Sequence, residues 1–73
     1  MFGLFNNRGH RYSLAATGIK FRDREFASRQ EAESEMYKFI DKNGFKVEKI
    51  YDDKHFKTYR CNWGVTFYIN RVF

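Results

Sequence analysis

The tightest constraint on this chain is the closing stretch CNWGVTFYINRVF, residues 61–73. Val65, Phe67 and Ile69 alternate with Thr66, Tyr68 and Asn70, so an extended backbone sends the two sets to opposite faces of a sheet. Residues His55 to Cys61 alternate in the same way, and only Asn62, Trp63 and Gly64 separate the two stretches. A three-residue loop sets Cys61 against Val65, Tyr59 against Phe67 and Lys57 against Ile69. A two-residue loop would instead turn Arg60 and Thr58 onto the apolar side, since a one-residue slip flips every side chain. The spacing therefore predicts a hairpin with a three-residue loop and Gly64 as its left-handed residue.

The same reasoning at Asp52, Asp53 and Lys54 predicts a further strand, Phe45 to Tyr51, with Tyr51 opposite His55 and Val47 opposite Tyr59. Phe45, Val47, Tyr59, Cys61, Val65, Phe67 and Ile69 then share one apolar face. Lys46, Glu48, Ile50, Phe56, Thr58, Arg60, Thr66, Tyr68 and Asn70 share the other.

A helix from about Arg29 to Asn43 is expected to cover the apolar face. Ser28 with Glu31 three residues on is a capping-box pattern, in which both side chains satisfy backbone N–H groups of the first turn. Ala32, Met36, Phe39, Ile40 and Asn43 follow helical spacing along one side. Acidic residues crowd the first turns and Lys38 and Lys42 the later ones, as the helix dipole favours. Gly44 ends the helix.

The N-terminal third carries strand-like content at Tyr12 to Thr17 and Ile19 to Phe21, broken by Gly18, and FRDREF suggests a turn before the helix. The expected architecture is a small single α+β domain spanning residues 1–73. One helix packs on a mainly antiparallel sheet of three to five strands, in the order ββαβββ or βαβββ. A domain of 73 residues buries a modest share of its surface. Nine phenylalanines, five tyrosines and one tryptophan supply the apolar bulk for its core. Cys61 is the one cysteine, so no internal disulfide forms, and a reduced, cytoplasmic location is the expectation. No signal peptide, bilayer-spanning run or linker is read from the residues.

Catalysis finds little support. His55 and Cys61 lie at opposite ends of one strand and do not form a nucleophile and base, and the spread of His and Cys does not make a zinc site. The segment NRGHRY lacks the repeated glycines of a phosphate loop. No enzyme activity, cofactor or metal is expected. Asp52 and Asp53 read as turn residues.

The net charge of +5 divides into +3 over residues 1–27, −1 over 28–44 and +3 over 45–73. Basic flanks favour an anionic partner. On the expected outer face, Lys46 and Arg60 stand among Ile50, Phe56 and Tyr68, a mixture suited to stacking bases and holding phosphates. Trp63 at a hairpin tip and Arg71 are further candidate contacts, while Arg8, His10 and Arg11 form a candidate basic arm. The bland alternative is that Phe2, Leu4, Phe5, Leu14, Ile19 and Phe21 bring the N-terminal segment over the Tyr68 face.

In size and aromatic content the chain resembles small accessory proteins of bacteriophages and other mobile elements, which often bind and redirect host machinery. The leading expectation is a non-enzymatic protein that binds a protein of a nucleic-acid-handling assembly through the basic aromatic face. Direct single-stranded nucleic-acid binding is the alternative. A structural or self-assembling role is the third, since strand edges are templates for pairing with another copy.

Overall fold

The computed structural model of the chain describes residues 11–53 and 56–72. Its elements run β1 (Arg11–Thr17), β2 (Arg24–Phe26), α1 (Arg29–Asn43), β3 (Val47–Asp52), β4 (Phe56–Cys61) and β5 (Thr66–Val72). The strands form one antiparallel sheet in the order β2-β1-β5-β4-β3, and α1 packs on one face of it. This is the expected α+β fold in its ββαβββ form.

Helix α1 begins where its capping residues place it. The Ser28 Oγ accepts the Glu31 backbone N–H at 3.1 Å. The Glu31 carboxylate reaches one residue further back than a capping box requires and accepts from Ala27 N–H at 3.3 Å. At the other end Gly44 takes φ 76°, and the N–H of Phe45 returns to the Ile40 carbonyl at 3.0 Å, closing the helix with a left-handed cap. Ala32, Met36 and Ile40 are buried as the spacing predicts. Asn43 is not part of that face: it is exposed, and its side-chain amide donates to the Phe39 carbonyl.

The core comprises Leu14, Phe26, Ala32, Met36, Ile40, Tyr59, Cys61, Val65, Phe67 and Ile69, with Phe39, Phe45 and Val47 packed against it. The β4–β5 register is the one predicted, Lys57 opposite Ile69 and Tyr59 opposite Phe67, with the Cys61 N–H bonded to the Val65 carbonyl at 2.7 Å. Gly64 is left-handed, φ 74°, and so is Trp63, φ 59°.

The N-terminal third departs from the expectation. Residues Ile19 to Phe21 form no strand. Phe21 is instead drawn into the core by edge-on contacts with Phe39 and Phe67, at ring-centroid distances of 5.1 and 5.8 Å. The expected turn in FRDREF contains β2, whose Phe26 pairs with Tyr12 and is buried. Tertiary contact overrides local turn preference here: Arg24 bonds to Glu35 of the helix, and Arg11 bonds to Glu25. Gly18, φ 88°, lets the β1–β2 connection lie against the β4–β5 loop, because a Cβ at Gly18 would stand 2.2 Å from the Gly64 carbonyl oxygen.

The β3–β4 hairpin corrects the second predicted register. Asp52 pairs with Lys57, Tyr51 with Thr58, Ile50 with Tyr59 and Lys49 with Arg60, while Val47 pairs with Cys61 across a bulge at Glu48. The backbone N–H of Asp53 bonds to the Phe56 carbonyl across the turn at 2.9 Å. His55, expected opposite Tyr51, lies outside the described residues. The bulge absorbs one residue, so Val47 keeps its place on the core side while Ile50 changes faces.

Candidate functional site

Side chains of directly paired residues lie on the same face of a sheet, so the register lays out the outer surface in rows. One row runs Ala15, Tyr68, Thr58, Tyr51 across β1, β5, β4 and β3. The row beside it runs Thr17, Thr66, Arg60, Lys49, and on the other side lies Ser13, Asn70, Phe56. Adjacent strands stand about 4.8 Å apart and same-face neighbours along a strand about 6.8 Å. Two tyrosines therefore flank Thr58, with a pair of cations one step to one side and Phe56 one step to the other.

Exposure and charge agree with this layout. Tyr51 is 44% exposed, Phe56 40%, and Tyr68 is half-buried. The Lys49 ammonium lies over the Tyr51 ring, 5.4 Å from its centre, which ties the cation row to the aromatic row. On the helix side three cations are engaged: Lys57 stands 3.5 Å from Glu33 and 3.8 Å from Asp52, and Glu35 receives both Arg24 and Lys38 at 3.4 Å. Lys49 and Arg60 have no acid partner among the described residues.

The candidate residues separate accordingly. Phe56, Arg60 and Tyr68 meet on the outer face. Ile50 does not join them, because it pairs with the buried Tyr59 and points to the helix side, where it is 47% exposed. Arg71 likewise alternates onto the helix side, opposite Tyr12. Lys46 precedes β3 and is held by Asn62, whose side-chain oxygen accepts its N–H and whose own N–H bonds to its carbonyl, both at 3.1 Å. Trp63 is 72% exposed and touches Phe45 edge-on at 5.7 Å, so its ring leans toward the helix-side aromatic cluster and away from the Tyr68 row. Arg11 belongs to β1 and is bound to Glu25 at 2.9 Å, while Arg8 and His10 lie outside the described residues. Phe2, Leu4 and Phe5 also lie outside them. Leu14 and Phe21 pack on the helix side, so neither covers Tyr68.

Lys49 and Tyr51 are the members the sequence reading missed. The signal was Asp52 and Lys57, opposite charges that become cross-strand partners only in the observed register.

Cys61 is 3% exposed; burial first, and then the Glu48 charge, push its thiol pKa up and away from the reactive thiolate. Among the described residues no group of three or more His, Cys, Asp and Glu side chains is placed to hold a metal ion. Among those same residues no helix is long and apolar enough to cross a membrane. No protein-family model, curated protein or solved structure matches the chain.

Proposed function

We propose that the protein is a non-enzymatic binding module of a nucleic-acid-handling assembly, and that its outer sheet face holds a short single-stranded polynucleotide. The supporting observation is the pair of adjacent rows, Tyr68-Thr58-Tyr51 beside Arg60-Lys49. Bases have apolar faces that stack on aromatic rings, and their phosphates follow at one side, so neighbouring aromatic and cationic rows suit a strand lying across β5, β4 and β3. Relative to the face expected from sequence, the observed one exchanges Lys46 and Ile50 for Lys49 and Tyr51, so an aliphatic side chain gives way to a second stacking ring. That exchange moves the preference from a protein partner to the strand itself.

A labelled single-stranded oligonucleotide, DNA or RNA, titrated with protein at low and physiological salt and followed by anisotropy, tests this. Tyr51→Ala and Tyr68→Ala should each weaken binding about 5-fold to 100-fold, the usual worth of one stacked base. Arg60→Ala should flatten the salt dependence by about 0.7 in log–log slope, one phosphate contact fewer on a single strand. No binding at low salt, or binding indifferent to both tyrosines, rejects the reading.

A second reading, contact with a protein of such an assembly in the manner of a phage-type accessory factor, is favoured by Trp63. A large ring 72% exposed on a left-handed backbone is a strained arrangement that folding alone does not reward. Exposed tryptophans of this kind anchor protein interfaces. On this reading Trp63→Ala abolishes capture of the partner and leaves oligonucleotide binding unchanged.

A further inference from the structure

The two edges of the sheet differ. At one edge β2 has three residues, and its charges are engaged, Arg24 by Glu35 and Glu25 by Arg11. At the other, β3 has six residues, and every one from Glu48 to Asp52 is exposed. Helix α1 packs mainly over β1, β5 and β2, and of β3 Val47 reaches the core. Ile50 at 47% and Tyr51 at 44% exposure project to opposite faces of this edge, so both sides of it carry apolar surface beside backbone groups that no strand pairs among the described residues.

The sequence of β3 is self-complementary when read against itself antiparallel about Ile50. Ile50 then meets Ile50 of a second copy on the helix side. On the outer side Lys49 meets Tyr51 of the other copy and Tyr51 meets its Lys49, so a cation faces a ring twice. At the two ends Glu48 comes opposite Asp52 of the other copy; the Lys57 ammonium, 3.8 Å from Asp52, offsets that pair of like charges, and the Glu48 bulge ends the pairing there. Shifting the centre by one residue toward Lys49 would set two ammonium groups against each other. Shifting it toward Tyr51 would set Lys49 against Asp53 but would place the apolar Ile50 against the charged Asp52 twice and lose the Ile50–Ile50 contact.

We propose that β3 pairs with β3 of a second copy, Ile50 against Ile50, joining two five-stranded sheets into one continuous sheet with both helices on the same side. This pairing shares Lys49 and Tyr51 with the polynucleotide reading but does not rest on it, and it is tested without nucleic acid.

Sedimentation of the full chain from low-micromolar to near-millimolar concentration should show a dimer that grows with concentration. Ile50→Lys should shift it to monomer at every concentration with its melting temperature unchanged, since Ile50 contributes little to the core. Register is read by cysteine pairing under mild oxidation. Residues opposed across an antiparallel pair have Cα atoms about 4.5–5.5 Å apart, within the span of a disulfide. Ile50→Cys should cross-link with itself. Lys49→Cys and Tyr51→Cys should each cross-link poorly alone and readily when mixed. The buried Cys61 does not compete. A monomer throughout the range overturns the proposal, as does a dimer in which Lys49→Cys or Tyr51→Cys self-links as readily as Ile50→Cys; retention of a foreign extended peptide by monomeric protein would assign the edge to another partner.

Discussion

At the level of single residues, two positions carry consequences out of proportion to their size. Gly18 combines a left-handed backbone with a Cβ direction aimed at the Gly64 carbonyl 2.2 Å away, so any side chain must push two loops apart. Gly18→Ala should cost about 2–4 kcal/mol by backbone strain and steric displacement together, read as a lowered urea midpoint. Gly64→Ala meets open space and bears only the left-handed penalty, about 1–2 kcal/mol. Tyr59 is the second position. Its ring is fully buried, and its hydroxyl donates to the Glu33 carboxylate. Burial first, then that hydrogen bond and the Glu33 charge, raise its pKa far above the ordinary tyrosine range. Below about pH 10 the phenol is protonated both folded and unfolded, and its contribution is intact. Above that the unfolded chain ionises while the folded one does not, so stability should fall by about 1.4 kcal/mol per pH unit from this group. Urea midpoints measured from about pH 9 to about pH 11 should drop more steeply for the native protein than for Tyr59→Phe.

Among the elements, α1 shows how local sequence signals become structure. Removing its cap with Ser28→Ala should lower stability by about 1 kcal/mol, measured by denaturant titration. The helix and the β4–β5 hairpin were legible because their patterns admit one solution. Val65, Phe67 and Ile69 must all turn inward, and a loop of three residues leaves one register that does so. β3 lacked that discipline. Ile50 and Tyr51 are adjacent, both are apolar enough for a core, and neither enters it, so burial could not choose between two registers that differ in which of them faces the helix. The bulge at Glu48 compounded the difficulty, because Val47 sits on the core side in either register. β2 was hidden for another reason: a three-residue strand holding Arg24 and Glu25 is recognisable only through its partners Glu35 and Arg11, which lie elsewhere in the sequence.

Over the whole molecule, the centre of the outer face differs from the helix side in how its cations are held. Ion pairs fasten the helix to the sheet through Lys57–Glu33 and Arg24–Glu35, whereas Arg60 and Lys49 on the opposite surface have no acid partner among the described residues. Half of this was readable from the sequence, since alternation alone puts Arg60 and Tyr68 together. The cation row needed the β3 register, which only the fold supplies. The strand order adds a temporal constraint. β1, made early in synthesis, has β5 as its central neighbour, with Leu14 set against Ile69. Until β5 has left the ribosome, Leu14 lacks its neighbour Ile69, and the helix has only β1 and β2 to rest on. A chain stopped short of β5 therefore leaves the inner face of β1 and the Phe39 side of the helix without Phe67 and Ile69 to cover them.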